Sequence, residues 1–157
     1  MKILAFIESQ DGNIKKTGLE IASFARVIAD AKDFELVGVG FNINDSKILG
    51  SYGVDKFYNI ETKEDTFFNV ESYSDSISKL IEKEKASIII VSSSADGRYL
   101  GPILSVKINS AYISNVVGLP TKYDPIQVKC SCFTNKAYNE NKSLKDCVIL
   151  SLSSNSF

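Results

Sequence analysis

The chain predicts an α/β fold: a three-layer sandwich around a mostly parallel sheet, with an antiparallel hairpin near the carboxyl end. Three observations predict it. Ile88-Ile89-Ile90-Val91 is an uninterrupted β-branched run with no polar residue at alternate positions, so it reads as a strand buried on both faces. It passes through Ser92-Ser93-Ser94-Ala95-Asp96-Gly97 into Leu100, Ile103, Leu104 and Ile108, spaced as one face of a helix. Strand and helix patterns alternate over the first two thirds of the chain, and after Pro120 the apolar period changes to two.

Taken in order, Lys2 to Glu8 is the first strand, and Ser9-Gln10-Asp11-Gly12-Asn13 supplies turn residues. Thr17 and Glu20 have the spacing of a capping box, which predicts a helix with Ile21, Phe24, Ala25 and Ile28 against the sheet and Ser23, Arg26 and Asp30 outward. Phe34 to Phe41 is a second strand, whose Gly38 and Gly40 indicate tight packing. A short helix over Ser46 to Leu49 ends at Gly50 or Gly53, Tyr52 to Asp55 is a turn, and Lys56 to Ile60 is a third strand. Glu61 to Asp65 reads as a surface loop. Tyr73, Ile77, Leu80 and Ile81 mark the next helix, whose end, Glu82-Lys83-Glu84-Lys85, reads as solvated.

Beyond the central strand and its helix, Ala111 to Ile113 is another short strand. Ile126, Val128, Cys130 and Cys132 alternate with Gln127, Lys129 and Ser131, the period of a strand with one exposed face. Phe133 to Asn141 carries aromatic and turn-forming residues, Cys147 to Leu150 is a last strand, and Ser153 to Phe157 reads as a connecting segment.

At 157 residues the chain is the length of one domain. A formal net charge of -1 provides no global positive field for nucleic acid or anionic lipid. No apolar run approaches the roughly 18 to 20 residues that cross a bilayer. Met1 to Ile7 is too short for a signal sequence, so a bacterial cytoplasm or the interior of an organelle is expected. Cys130, Cys132 and Cys147 read as small apolar filler, and with no histidine in the chain a zinc site lacks ligands.

The absence of histidine also removes the commonest general base, so Ser92, Ser93, Ser94 and Asp96 are not expected to form a catalytic group. Phosphate contact is more plausible at the turn Ser93, Ser94, Asp96, Gly97 and Arg98, since a helix start offers unpaired amides and Arg98 adds a permanent charge. Against it, the chain has neither the phosphate-loop motif nor the three-glycine dinucleotide fingerprint. The competing reading is a helix-capping turn whose arginine is exposed or pairs across an interface.

Several segments in order resemble the amino-terminal domain of the alpha subunit of electron-transferring flavoprotein. They are Ile3 to Glu8 with Asp11 to Ile14 and Thr17 to Ala25; Leu49 to Lys56; Ser92 to Pro102; and Ser114 to Leu119. Phe133 to Ala137 and Ile149 to Leu152 fall where that domain has its closing strands. The resemblance implies an adenine-nucleotide alpha-hydrolase-like sheet. It also implies a role, within an alpha-beta heterodimer, in carrying electrons from flavin dehydrogenases such as acyl-CoA dehydrogenases to a quinone reductase or a bifurcating partner.

In that family the redox FAD is held mainly by a carboxyl-terminal domain of the alpha subunit, and AMP or a second FAD by the beta subunit. The expectation for residues 1–157 is therefore one beta-subunit-docking domain with no FAD site, no metal and no catalytic residue of its own. Tyr99, Tyr112, Tyr123, Phe133 and Tyr138 are candidates for the docking face, with core placement as the competing reading. The alternative function is a stand-alone adenine-nucleotide-binding module resembling universal stress proteins. A small ATP-activating enzyme is disfavoured by the loop after the first strand.

Overall fold

The computed structural model describes residues 1–62 and 68–157. The sheet core is β1 (Lys2–Phe6), β4 (Glu35–Phe41), β5 (Lys56–Ile60), β6 (Ala86–Ser92), β7 (Ala111–Val116) and β11 (Val148–Leu152). All of these pair in parallel. With β9 (Ile126–Cys132), β10 (Ala137–Lys142) and β8 (Lys122–Tyr123), nine strands form one sheet among the described residues. Its order is β10-β9-β7-β11-β6-β1-β4-β5, with β8 paired to β9.

Alternation along the central strands divides the core in two. Ile3, Ala5, Ile88, Ile90, Val148 and Leu150 face Ile21, Phe24, Ala25 and Ile28 of α1 (Lys16–Lys32), and Ile126, Val128 and Cys130 of β9 join this layer. Leu4, Phe6, Val39, Ile89, Val91 and Ile149 face Ile77, Leu80 and Ile81 of α3 (Val70–Glu84) and Leu100 and Leu104 of α4 (Ala95–Lys107). Both faces are covered, as the polar-free run in β6 requires.

The last strand departs from expectation. β11 does not extend the hairpin of β9 and β10 but returns to the centre, parallel to β6 on one side and β7 on the other. Asn115, at φ 55°, marks an irregularity in β7 where its register with β11 shifts, and Val116 beyond it also pairs antiparallel with Cys130 of β9. The expected first turn is itself a small hairpin of β2 (Ser9–Gln10) and β3 (Asn13–Ile14) around Asp11 and Gly12, both at positive φ. The tight packing expected of Gly38 and Gly40 is present: a Cβ there would lie 2.9 Å from the Phe57 ring and 2.5 Å from Ile43 Cδ1.

Further expectations need correction. The short helix α2 spans Ile48–Ser51, so Gly50 lies within it. The expected surface loop at Glu61 to Asp65 lies largely outside the described residues. The capping box of Thr17 and Glu20 does not form, because the helix begins earlier, at Lys16, and neither side chain caps it. Arg26 is half-buried and not turned out: Nη1 donates to Gly53 O and Asp55 Oδ2, both at 3.0 Å, tying α1 to the approach to β5. The end of α3 is not simply solvated, since Glu84 is buried and binds Lys2, Lys56 and Tyr58. Two lysines and a phenol hold its pKa down at about 2.

Candidate functional site

In an open parallel sheet, the place where successive connections leave in opposite directions forms a crevice at the carboxyl ends of the strands. Here β1 sits between β4, reached by the first connection, and β6, reached after β5. A crevice of about 510 Å³ lies at this point, with Phe6, Phe41 and Tyr73 among its apolar residues and Glu8, Asp11, Lys15 and Asp96 among its charged ones. Phe41 and Tyr73 stack with ring centroids 3.6 Å apart. Burial raises the pKa of the Tyr73 hydroxyl, and the negative charge of Asp96 adds to the effect.

Glu8 organises the base of the crevice. Its side chain is almost fully buried, and its Oε1 accepts hydrogen bonds from the hydroxyls of Ser92 and Ser94. Its Oε2 accepts from Thr17 Oγ1 at 3.3 Å and lies 3.9 Å from Lys15 Nζ. One carboxylate thus joins the ends of β1 and β6 to the first turns of α1 and α4. Helix amino termini carry partial positive charge, which favours an anion between them. Lys15 Nζ is also 3.8 Å from Asp96 Oδ2, so the one lysine among the crevice's described residues is shared between two acids.

The residues expected at the turn divide accordingly. Ser94 is the N-cap of α4, its Oγ accepting from Gly97 N at 3.0 Å, so Asp96 and Gly97 lie inside the helix and not in a turn before it. Ser93 is buried, its Oγ 2.8 Å from Ser151 Oγ of β11. Gly97 allows α4 to pack on β6, since a Cβ there would meet Ser92 O at 2.0 Å. Arg98 is exposed. The amides of Ser93, Ser94, Gly97 and Arg98 all donate within the chain, to Leu152 O, Ser92 Oγ, Ser94 Oγ and Ser94 O. Ser94 and Asp96 are thus brought together with Glu8 and Lys15, while Ser93 turns to Ser151 and Arg98 stands apart.

Sequence reasoning missed Glu8 as a hub, although an acid directly after five apolar residues, at the mouth of a switch-point strand, is a usable signal. Among the aromatic docking candidates, Tyr99, Phe133 and Tyr138 are exposed, whereas Tyr112 and Tyr123 pack against the two core layers. Tyr99 at 68 % exposure and Val106 at 82 % lie on the outer side of α4, with exposed Pro102 between them in sequence.

The family model for the electron transfer flavoprotein domain matches residues 3–157. The chain belongs to that family. This electron transfer flavoprotein domain is similar to the acryloyl-CoA reductase electron transfer subunit beta of Anaerotignum propionicum, at 28 % identity over 74 % of this chain and 33 % of that protein. It is also similar to the electron transfer flavoprotein subunit alpha of Thermoanaerobacterium thermosaccharolyticum, at 29 % identity over 74 % of this chain and 36 % of that protein. With the subunit alpha of Bacillus subtilis, identity is 24 % over 87 % of this chain and 42 % of that protein. The chain therefore spans between about a third and two fifths of these curated relatives. Among the described residues of the electron transfer flavoprotein domain, no helix is long and apolar enough to cross a membrane.

Proposed function

We propose that this chain is the docking domain of an electron transfer flavoprotein alpha-type subunit, with its redox FAD seated outside residues 1–157 and a beta-type subunit as partner. In that role it is an electron-carrier component and not an enzyme. The assembled heterodimer would carry electrons from flavin dehydrogenases, acyl-CoA dehydrogenases among them, to a quinone reductase or a bifurcating partner. Its setting would be a bacterial cytoplasm or a mitochondrial matrix. The names of the alpha-subunit relatives support the family side of this reading.

One observation carries the docking reading: the carboxylate of Glu8 fills the base of the switch-point crevice. Among the described residues, a phosphate entering there would meet Glu8, Asp11 and Asp96 against a single lysine, and the Ser94 hydroxyl that caps α4 already donates to Glu8. Such a lining disfavours a nucleotide phosphate, and with it the alternative of an adenine-nucleotide module. The outer side of α4, with Tyr99, Pro102 and Val106, supplies apolar surface of the kind that partners cover.

The test is titration of the purified chain with FAD, AMP and ATP, followed by thermal melting and by co-purification with a beta-type subunit. The expected result is no stabilisation by any of the three and a one-to-one complex with the subunit. A yellow protein, or a melting point raised by FAD or AMP, would overturn the proposal.

A further inference from the structure

The switch-point crevice is lined by two kinds of surface. One wall is aromatic: Phe6 meets the Phe41 and Tyr73 rings edge-on at 6.2 and 6.3 Å, and Phe68 meets Tyr73 at 5.0 Å and 79°. Phe6 and Phe41 are buried, while Phe68 and Tyr73 stay partly exposed where they border the cavity. The other surface is acidic. Among the described residues, the carboxylates of Glu8, Asp11 and Asp96 stand against the single ammonium of Lys15. That ammonium lies 3.9 Å from Glu8 Oε2 and 3.8 Å from Asp96 Oδ2, too far to donate a hydrogen bond to either. Glu8 has its hydroxyl donors, but the side chain of Asp96 is left 36 % exposed. Its charge is felt at the Tyr73 hydroxyl, second only to burial in raising that pKa, so the carboxylate stands beside the aromatic wall.

The faces of aromatic rings attract positive charge, and a cleft lined by carboxylates on a low-dielectric wall concentrates a field of the same preference. We infer that the crevice binds a small organic cation, an alkyl-guanidinium or alkyl-ammonium, with its charge between Asp96 and Tyr73 and its alkyl stem along Phe68. A volume of about 510 Å³ is that of a small-molecule site. Among the described residues no three acids converge as a metal ion requires, so the charge is carried on an organic group. Lys15 is the tethered competitor: its ammonium sits between two of the acids and lowers their pull on a guest. The inference rests on the reading of the crevice as unsuited to phosphate, and it is independent of which subunit docks on α4.

The experiment is an NMR titration with n-butylguanidinium, with n-butylurea as its uncharged counterpart, read at the ring signals of Phe68 and Tyr73. The cation should shift them saturably and bind at least about tenfold more tightly than the urea. Asp96→Asn should weaken the cation at least about fivefold by removing a charge-assisted contact, and Tyr73→Leu by a similar factor through the lost ring face. Lys15→Met should strengthen it at least about threefold, a gain that a merely structural lysine would not give. If Tyr73→Leu does not fold, Asp96→Asn and Lys15→Met, whose side chains are part-exposed, decide. No saturable shift, equal affinity for the urea, or affinity unchanged in both of those variants would overturn the inference. AMP saturating the same signals would overturn it together with the proposed function, whereas silence from both AMP and the cation would overturn it alone.

Discussion

The carboxylate of Glu8 accepts the hydroxyl of Ser92, 84 residues further along the chain, across the carboxyl ends of two adjacent strands. The Ser94 hydroxyl reaches the same oxygen. Two strands and two helix starts are thereby referred to a single buried charge.

Removing one donor from that charge should cost stability without changing the fold. Ser92→Ala leaves Glu8 buried with fewer partners, for an expected loss of about 1 to 3 kcal/mol. Urea unfolding followed by circular dichroism measures it, and a loss below about 0.5 kcal/mol would contradict the central place given to Glu8.

Glycine replacements at two helical positions should have opposite signs. Gly97→Ala places a methyl group 2.0 Å from the backbone oxygen of Ser92, which cannot move without shifting β6, and should destabilise by about 3 kcal/mol or more. Gly50→Ala in α2 meets nothing within 4 Å and should stabilise by about 0.4 to 1 kcal/mol through the unfolded chain. Thermal melts of the two proteins side by side check the pair.

Stability should have an acid limb set by Glu84. Its pKa in the folded chain is about 2, lowered from 4.5 mainly by the ammonium groups of Lys2 and Lys56 and then by the Tyr58 hydroxyl. A lowered carboxyl pKa adds stability that is complete above the ordinary value and disappears as pH falls from about 4.5 towards 2. Glu84→Gln should flatten that limb in a pH series of urea midpoints. Lys56 gives the opposite case. Glu84 raises its pKa above 10.5, so its contribution is complete below that pH and is lost as pH rises through the folded value.

Val106 offers a test of the docking surface that leaves the fold alone. At 82 % exposure, Val106→Asp should change stability by no more than about 0.5 kcal/mol. If α4 meets the proposed beta-type subunit, the same change should weaken the complex at least tenfold in a binding assay. Unaltered affinity would remove α4 from the docking surface.

Much of the architecture was legible because local pattern and tertiary placement agree. The apolar run in β6, the helical face of α1 and the alternation in β9 each state their own burial. β11 was legible as a strand but not in its place, since period and propensity carry no information about which neighbours a strand chooses. The same holds for the site. Ser94 was singled out from its position before a helix, while Glu8, its partner, looked like the polar end of a strand. Glu84 looked like part of a wet charge run, because the groups that bury it come from β1 and β5. Glu20 had the correct spacing for a cap, yet the helix started early and its carboxylate accepts the amides of Ser156 and Phe157 instead, so the segment expected as a connection is packed on α1.

The central position of β11 bears on how the polypeptide is made. Until residues 148–152 leave the ribosome, β6 and β7 lack the neighbour that joins them, and each presents an open edge. The nascent chain must therefore keep two incomplete half-sheets apart from other chains until β11 slots between them. A chain cut short before residue 148 would be an adhesive, unfinished product and not merely a shorter version of the same protein.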